Sequence, residues 1–77
     1  MTREMTDTDA EVLETMIDSV GLAEVINTLA DICFGKAEHL RTNWQDKTTA
    51  ELWDRAGICI NATLADRKAG HAINVLS

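Results

Sequence analysis

The strongest constraint on the fold is an apolar residue at every third or fourth position between residues 22 and 44. This spacing follows the 3.6-residue turn of an α-helix, so its members share one side of that helix. The chain contains no proline and only four glycines, and little in its composition therefore interrupts helix elsewhere. We predict an all-α protein with a central helix over about 22–43. The repeat consists of Leu22, Ile26, Leu29, Cys33, Ala37, Leu40 and Trp44.

A shorter helix is predicted before the central one, over about 9–19. Thr8 and Glu11 have the spacing of a capping box, and Gly21 is suited to end a helix. Residues 1–7 are expected to be disordered. The apolar face of this helix comprises Leu13, Met16, Ile17 and Val20.

A third helix is predicted over about 49–74, after a turn and a second capping box at Thr48 and Glu51. Whether it continues through Gly70 is left open. Short connections favour an antiparallel hairpin of the two long helices. We therefore expect a single domain, residues 1–77, in which the short first helix packs across this hairpin. We also expect this domain to form a dimer.

The C-terminal half of the third helix carries a stripe with heptad spacing. Most of its members are alanine, which permits close helix approach but is also the best helix former. Ile58 and Leu76 bracket the stripe with larger apolar side chains. We expect this seam to join two copies in a homodimer, through Ile58, Ala62, Ala65, Ala69, Ala72 and Leu76.

The charge of the chain disfavours polyanionic partners. The formal net charge is −6, and residues 1–31 alone hold one arginine against eight carboxylates. Nucleic acid and anionic membrane would repel such a chain. No apolar run is long enough for a membrane helix or a signal peptide, so a cytoplasmic location is expected.

The carboxylates of the first helix support two interpretations. They suit the dipole at a solvated helix start. Alternatively, they imitate phosphate spacing and make the protein an inhibitor that occupies the groove of a nucleic-acid-binding protein. The residues concerned are Asp7, Asp9, Glu11, Glu14 and Asp18.

The residues that usually carry catalysis or bind metals lack the required spacing. The two cysteines and two histidines form no zinc-ligand pair, and no Glu-x-x-His pair is present. No nucleophile elbow or phosphate-binding glycine loop occurs. Both cysteines are expected to be small buried apolar residues. The sequence thus predicts a protein that is not an enzyme and needs no metal or cofactor.

Two aromatic features are candidates for partner binding. Phe34, next to Gly35, lies off the main apolar stripe and marks either a local kink or a place where another helix comes close. Trp44 and Trp53 border one turn, where they either close the core or present a recognition corner. The predicted partner-binding residues are Phe34, Arg41, Asn43, Trp44 and Gln45.

Several segments between Leu13 and Arg55 resemble a group of short bacterial and phage helical proteins. The resemblance implies a compact helical protein and transfers no activity. Independently of this resemblance, the leading hypothesis is a homodimeric adaptor or regulator that binds an unidentified protein at Phe34 or at the tryptophan corner. The segments are Met16–Asp18, Gly21–Ala23, Leu29–Cys33, Lys36–Arg41 and the most distinctive, Asn43–Asp46.

Overall fold

A computed structural model of the protein describes residues 3–76 and contains four α-helices. Within these residues there is no strand, so the predicted all-α class is confirmed. Of the segment expected to be disordered, Met1 and Thr2 lie outside the described residues, and residues 3–6 precede the first helix. The elements are α1 (Asp7–Val20), α2 (Leu22–His39), a π-helical turn (Leu40–Trp44), α3 (Lys47–Ala65) and α4 (Arg67–Val75).

Helix α1 begins two residues before its predicted start, because a different capping box is used. The Asp9 backbone N–H donates to Thr6 Oγ1 (3.1 Å), and the Thr6 N–H donates to the Asp9 carboxylate (3.0 Å). Arg3 also pairs with this carboxylate. The Arg3 guanidinium and the Thr6 hydrogen bonds together lower the pKa of Asp9. The predicted cap at Thr8 is wrong, since the upstream box has an additional partner for its carboxylate.

Gly21 joins α1 directly to α2, as its position in the sequence predicts. Its backbone adopts φ 92° and ψ 152°, a region that residues with a side chain rarely enter. Its N–H donates to the Ile17 carbonyl (2.8 Å), and α2 starts at the next residue. The two helices are therefore connected by a sharp bend with no intervening loop.

Helices α2 and α3 form the main packing contact, through small side chains. Contacts pair Phe34 with Gly57 and Lys36 with Trp53, so the two helices run antiparallel. Small residues allow two helix axes to approach closely. No large side chain is wholly buried in the described part of the chain. The buried residues of this contact are Ala30, Cys33 and Ala37 on α2, with Ala50 and Gly57 on α3.

Phe34 lies between these two helices, and Gly57 makes room for its ring. A Cβ atom at Gly57 would lie 2.8 Å from Phe34 Cε1, closer than carbon atoms pack. A Cβ atom at Gly35, by contrast, would have no neighbouring atom within 4 Å. The helix that approaches Phe34 is therefore α3 of the same chain, and the glycine that permits the approach is Gly57.

The two glycines provide a matched test of this contact. We expect Gly35→Ala to stabilise the protein by about 1 kcal/mol, the difference in helix propensity. Gly57→Ala should be less stable than Gly35→Ala by about 1–3 kcal/mol, because its methyl group displaces the Phe34 ring. Urea unfolding at low temperature measures both. In a Phe34→Ala background the difference should disappear, and a difference that persists would show that the ring is not its cause.

The chain bends again at Asp66, so the prediction of one helix over 49–74 is wrong. Asp66 has extended backbone angles, φ −65° and ψ 137°, and its carboxylate accepts from the Ala69 N–H (2.9 Å). It thus ends α3 and caps α4. Any side chain at Gly70 would collide with the Leu64 carbonyl oxygen, so glycine is required where α4 turns back. Ile73 is buried as α4 returns toward α2 and α3.

Helix α1 packs against α2 alone, and the expectation that it lies across both hairpin helices is wrong. Within the described chain it makes no close approach to α3 or α4. Leu13 and Ile17 are half-buried, whereas Met16 and Val20 remain exposed. The sharp bend at Gly21 explains this arrangement, because it keeps α1 beside the N-terminal part of α2.

The resulting molecule is thin and extended for its size. Its principal extents are 40 × 32 × 17 Å, and its radius of gyration is 14.3 Å. A compact domain of this length has a radius of gyration of about 11.5 Å. The accessible surface is 6,124 Å², against about 4,650 Å² for a compact monomer of the same mass. The folded chain therefore leaves about 1,500 Å² more surface exposed than a compact monomer does.

Helix α3 starts at a carboxylate cap. The Thr49 N–H donates to Asp46 Oδ1 (3.1 Å), and hydrogen bonds from Thr49 lower the pKa of Asp46 from its ordinary value of 3.8. The predicted box at Thr48 and Glu51 is therefore not the one used. Asp46 directly follows the turn and is ionised at neutral pH, so it suits the positive end of the helix dipole better than a threonine hydroxyl.

The lowered pKa of Asp46 makes this cap sensitive to acid. The contribution of the ionised cap is present above the ordinary pKa of 3.8 and is lost as the pH falls through the lower folded value. In the variant Asp46→Asn, the side-chain amide oxygen accepts the same hydrogen bond without titrating. We expect the melting temperature of the native protein to fall relative to that of Asp46→Asn between pH 5 and pH 2, in thermal unfolding followed by circular dichroism. Parallel curves would contradict this expectation.

Candidate protein-binding surfaces

The turn between α2 and α3 forms an exposed corner with a defined backbone. The Gln45 and Asp46 N–H groups both donate to the Leu40 carbonyl, the latter at 3.1 Å. Gln45 adopts the left-handed conformation, φ 52° and ψ 30°, which reverses the chain direction. The π-helical turn and this reversal together bring Asn43 and Trp44 to the outside of the corner.

His39 holds both of these side chains. The Trp44 indole N–H donates to His39 Nε2 (3.1 Å), and the Asn43 amide lies 2.8 Å from Nδ1. An indole N–H only donates, so Nε2 carries the lone pair and Nδ1 carries the ring proton. Asn43 lies with its amide nitrogen, a donor, next to Nδ1, and a half-turn of the amide lets its oxygen accept from that proton. The Trp44 ring is thus held in place, although 70% of the residue is exposed.

Arg41 connects the same corner to α3 through an ion pair with Asp54. The Asp54 carboxylate raises the pKa of Arg41 above its ordinary value. Both side chains are partly exposed, and solvent screening makes such a pair a small contribution to stability. Its role at this corner is to fix the orientation of the guanidinium next to the turn.

A shallow pocket of about 420 Å³ lies beside the corner, between α2 and α3. The Lys36 ammonium sits 5.5 Å from the centre of the Trp53 ring, a cation–π contact. Trp53 is half-buried between α2 and α3, whereas Trp44 is exposed. Of the two tryptophans, Trp53 is therefore the one that covers the end of the core. The pocket is lined by Ile32, Gly35, Lys36, His39, Leu40 and Trp53.

A second apolar depression, the α1–α2 groove, runs between the first two helices. Its volume is about 340 Å³, and Glu24 is the only charged residue in its lining. Ile32 borders both this groove and the pocket beside the corner. The groove is lined by Leu13, Met16 and Val20 on α1, with Glu24, Val25, Thr28, Leu29 and Ile32 on α2.

The structure brings most of the predicted partner-binding residues together. Arg41, Asn43, Trp44 and Gln45 share the corner, whereas Phe34 lies two helical turns earlier, against Gly57. The spacing of possible zinc ligands, in which His39 takes part, gives no indication of its contacts with Asn43 and Trp44. The signal was available, because Asn43 follows His39 by four residues, the spacing at which helical side chains meet.

The predicted dimer seam is divided by the break at Asp66. Ile58, Ala62 and Ala65 are exposed on α3, and the remaining seam residues belong to α4 and its end. Ala69 is half-buried, while Ala72 and Leu76 are exposed. A straight heptad stripe is therefore wrong, because α4 changes direction after residue 66.

The five candidate carboxylates of α1 have different surroundings. Asp7, Glu11, Glu14 and Asp18 are exposed and project from one side of the helix. Asp9 lies apart from them, held by Arg3 and by the Thr6 cap. Four carboxylates thus remain available on one face.

The remaining candidate chemistry is sparse. Cys33 is buried, but Cys59 is exposed, which corrects the expectation that both are buried. Among residues 3–76, no three His, Cys, Asp or Glu side chains are close enough to hold a metal ion. No helix in the described chain combines the length and apolar character needed to cross a membrane. Comparison with protein-family models, curated proteins and solved structures finds no match to this chain.

The anchoring of Trp44 by His39 is directly testable by NMR. In His39→Ala the Trp44 indole N–H loses its acceptor, so its exchange with solvent should accelerate by about 5- to 10-fold, as expected for a net bond of about 1 kcal/mol. The Trp53 indole in the same molecule is the internal control and should not change. Equal exchange of Trp44 in both proteins would contradict the hydrogen bond.

Proposed function

We propose that this chain is a small non-catalytic adaptor or regulator that acts as a homodimer in the cytoplasm and binds another protein. The observation that carries this proposal is the surplus of exposed apolar surface on so small a chain. Soluble monomers rarely leave extensive apolar patches uncovered. The exposed large apolar residues are Met5, Val12, Met16, Val20, Leu29, Ile32, Trp44, Leu52, Ile58, Val75 and Leu76.

The amount of exposed surface supports the homodimer. The excess of about 1,500 Å² per chain corresponds to about 3,000 Å² in a dimer, within the range buried by obligate homodimers. Two surfaces are candidates for this contact: the divided seam from Ile58 to Leu76, and the α1–α2 groove. A chain of this length gains most from such a contact, because its own core is small.

The corner around Trp44 supports the binding of a second protein. A tryptophan held by His39 loses little conformational freedom on binding, and exposed tryptophan and arginine are frequent interface anchors. Asn43, Gln45 and Arg41 supply polar groups around it. Phe34 has an indirect role in this proposal. Its ring packs against Gly57 and stabilises the α2–α3 contact that positions the corner. The acidic charge disfavours direct nucleic-acid or membrane partners.

Capture of partners from a lysate of the source organism tests this function. Native protein and Trp44→Ala serve as baits, with Leu52→Ala as the matched control, since Leu52 is a similarly exposed apolar residue on α3. We expect a partner that quantitative mass spectrometry finds at least about ten-fold enriched on the native and Leu52→Ala baits over Trp44→Ala. Equal capture by all three baits would argue against the corner.

A second candidate function is that of an acidic inhibitor that mimics nucleic acid. The observation in its favour is the row of Asp7, Glu11, Glu14 and Asp18, spaced about 6, 4.5 and 6 Å along the axis of α1. The same capture experiment distinguishes it. A basic partner that is retained by Trp44→Ala, but lost at high salt or after charge reversal at Glu11 and Glu14, supports the inhibitor.

A further inference from the structure

We propose that the α1–α2 groove is the homodimer interface, in which a second copy of the chain packs its own α1 and α2 around a twofold axis. The four helices then enclose one apolar core. This inference rests on the homodimer proposed above and identifies the surface that forms it. A twofold contact requires a patch that is complementary to itself, and two facing helix pairs meet this requirement.

The apolar residues of the groove form a continuous stripe on each helix. On α2, Val25, Leu29 and Ile32 are spaced by four and three residues, the pattern of a helix that faces another helix. This stripe is distinct from the small-residue face that contacts α3. Leu29 and Ile32 remain about half exposed within the chain. Helix α2 thus has a second apolar face, and α1 covers only one edge of it.

Helix α1 also has few contacts within its own chain that could stabilise it as a helix. It has 14 residues, none of them buried, and among the described elements it packs against α2 alone. A helix of this length is marginal in water without tertiary packing. Its apolar residues Met16 and Val20 face the groove and are more than half exposed. A second copy seated on the groove supplies the missing contacts.

The shape of the molecule supports the same conclusion. Its extents are 40 × 32 × 17 Å, so its helices spread over a broad, thin body. Stable domains bury the apolar faces of their helices between packed layers. At the groove, α1 approaches no helix other than α2 in the described chain, and Met16, Val20, Leu29 and Ile32 stay exposed.

Most of the acidic charge of the N-terminal half lies away from this contact. Asp7, Glu11, Glu14 and Asp18 lie more than about 120° around α1 from the mean direction of its groove-lining residues. In a twofold dimer these four carboxylates point away from the interface, whereas Glu24, an exposed residue of the groove lining, lies at it. Two acidic surfaces still approach each other, so the dimer should become tighter as salt screens the repulsion.

The divided seam is the weaker candidate for the same role. Its two large side chains, Ile58 and Leu76, lie on different segments, because α4 turns at Asp66. The residues between them are alanines, which contribute little apolar area. The groove instead provides six large apolar side chains on two adjacent helices.

Matched isoleucine variants test the inference. Ile32 lies in the groove and is 50% exposed, and Ile58 lies on the seam and is 60% exposed. Lysine at either position changes the net charge equally. We expect Ile32→Lys to weaken dimerisation by at least about 100-fold in sedimentation equilibrium, because two buried ammonium groups would face each other. Ile58→Lys should dimerise like the native protein.

The other outcomes separate this inference from the proposed function. If Ile58→Lys dissociates and Ile32→Lys does not, or if neither does, the groove is overturned and the homodimer stands. If the native protein is monomeric at all concentrations, both proposals fail. Hydrogen exchange of the native protein, above and below the dissociation constant, provides a test without substitutions: protection in α1 should rise with dimerisation. Unchanged protection of α1 would overturn the inference.

Discussion

The contact between α2 and α3 supports every other feature of this molecule. It is built from alanine, cysteine and glycine, with the Phe34 ring seated over Gly57. Small residues bring the two backbones close, and that proximity places Trp53 beneath Lys36 and Asp54 beside Arg41. The π-helical turn is held between the two helices as a result. Both the exposed corner and its adjoining pocket depend on this contact.

A core of small residues has a consequence for the rest of the chain. Because small residues occupy the buried positions between α2 and α3, many of the large apolar side chains are exposed, on α1, on the second face of α2 and on the outer side of α3. Burial of small residues removes little apolar area from water, so each chain gains limited stability alone. The same sequence thus creates both a close helix pair and a need for association.

The two candidate surfaces are adjacent. Ile32 borders the α1–α2 groove on one side and the pocket beside His39 on the other. In the proposed dimer, the partner-binding corners would stand next to the shared four-helix core, each held by its own His39 contacts. Two corners on one rigid unit allow a protein with two copies of a target site to be bound more tightly than by one corner alone.

The sequence by itself determined the helical class, the end of α1 at Gly21 and the polar turn near residues 43–46. Each of these follows from local chemistry: residue spacing, the absence of proline and the conformational freedom of glycine. The caps of α1 and α3 differ from those that the sequence predicts: the structure uses Thr6 and Asp46 in place of Thr8 and Thr48. The Arg3 contact with Asp9 and the ionised carboxylate of Asp46 favour the caps observed.

Only the tertiary structure decided which faces of the helices are covered. Periodicity marks α2 as apolar on a broad side, but it does not say that α3 takes the small residues and leaves Leu29 and Ile32 open. The bend at Asp66 depends on the close approach of Gly70 to the Leu64 backbone, a contact that helix propensity does not contain. His39 gained its role in the same way, since the π-helical turn brings Trp44 back onto its ring. The covered helix faces are fixed by packing between segments distant in the chain, and the Gly70 and His39 contacts by backbone proximity over five or six residues, which the spacing of apolar residues does not encode.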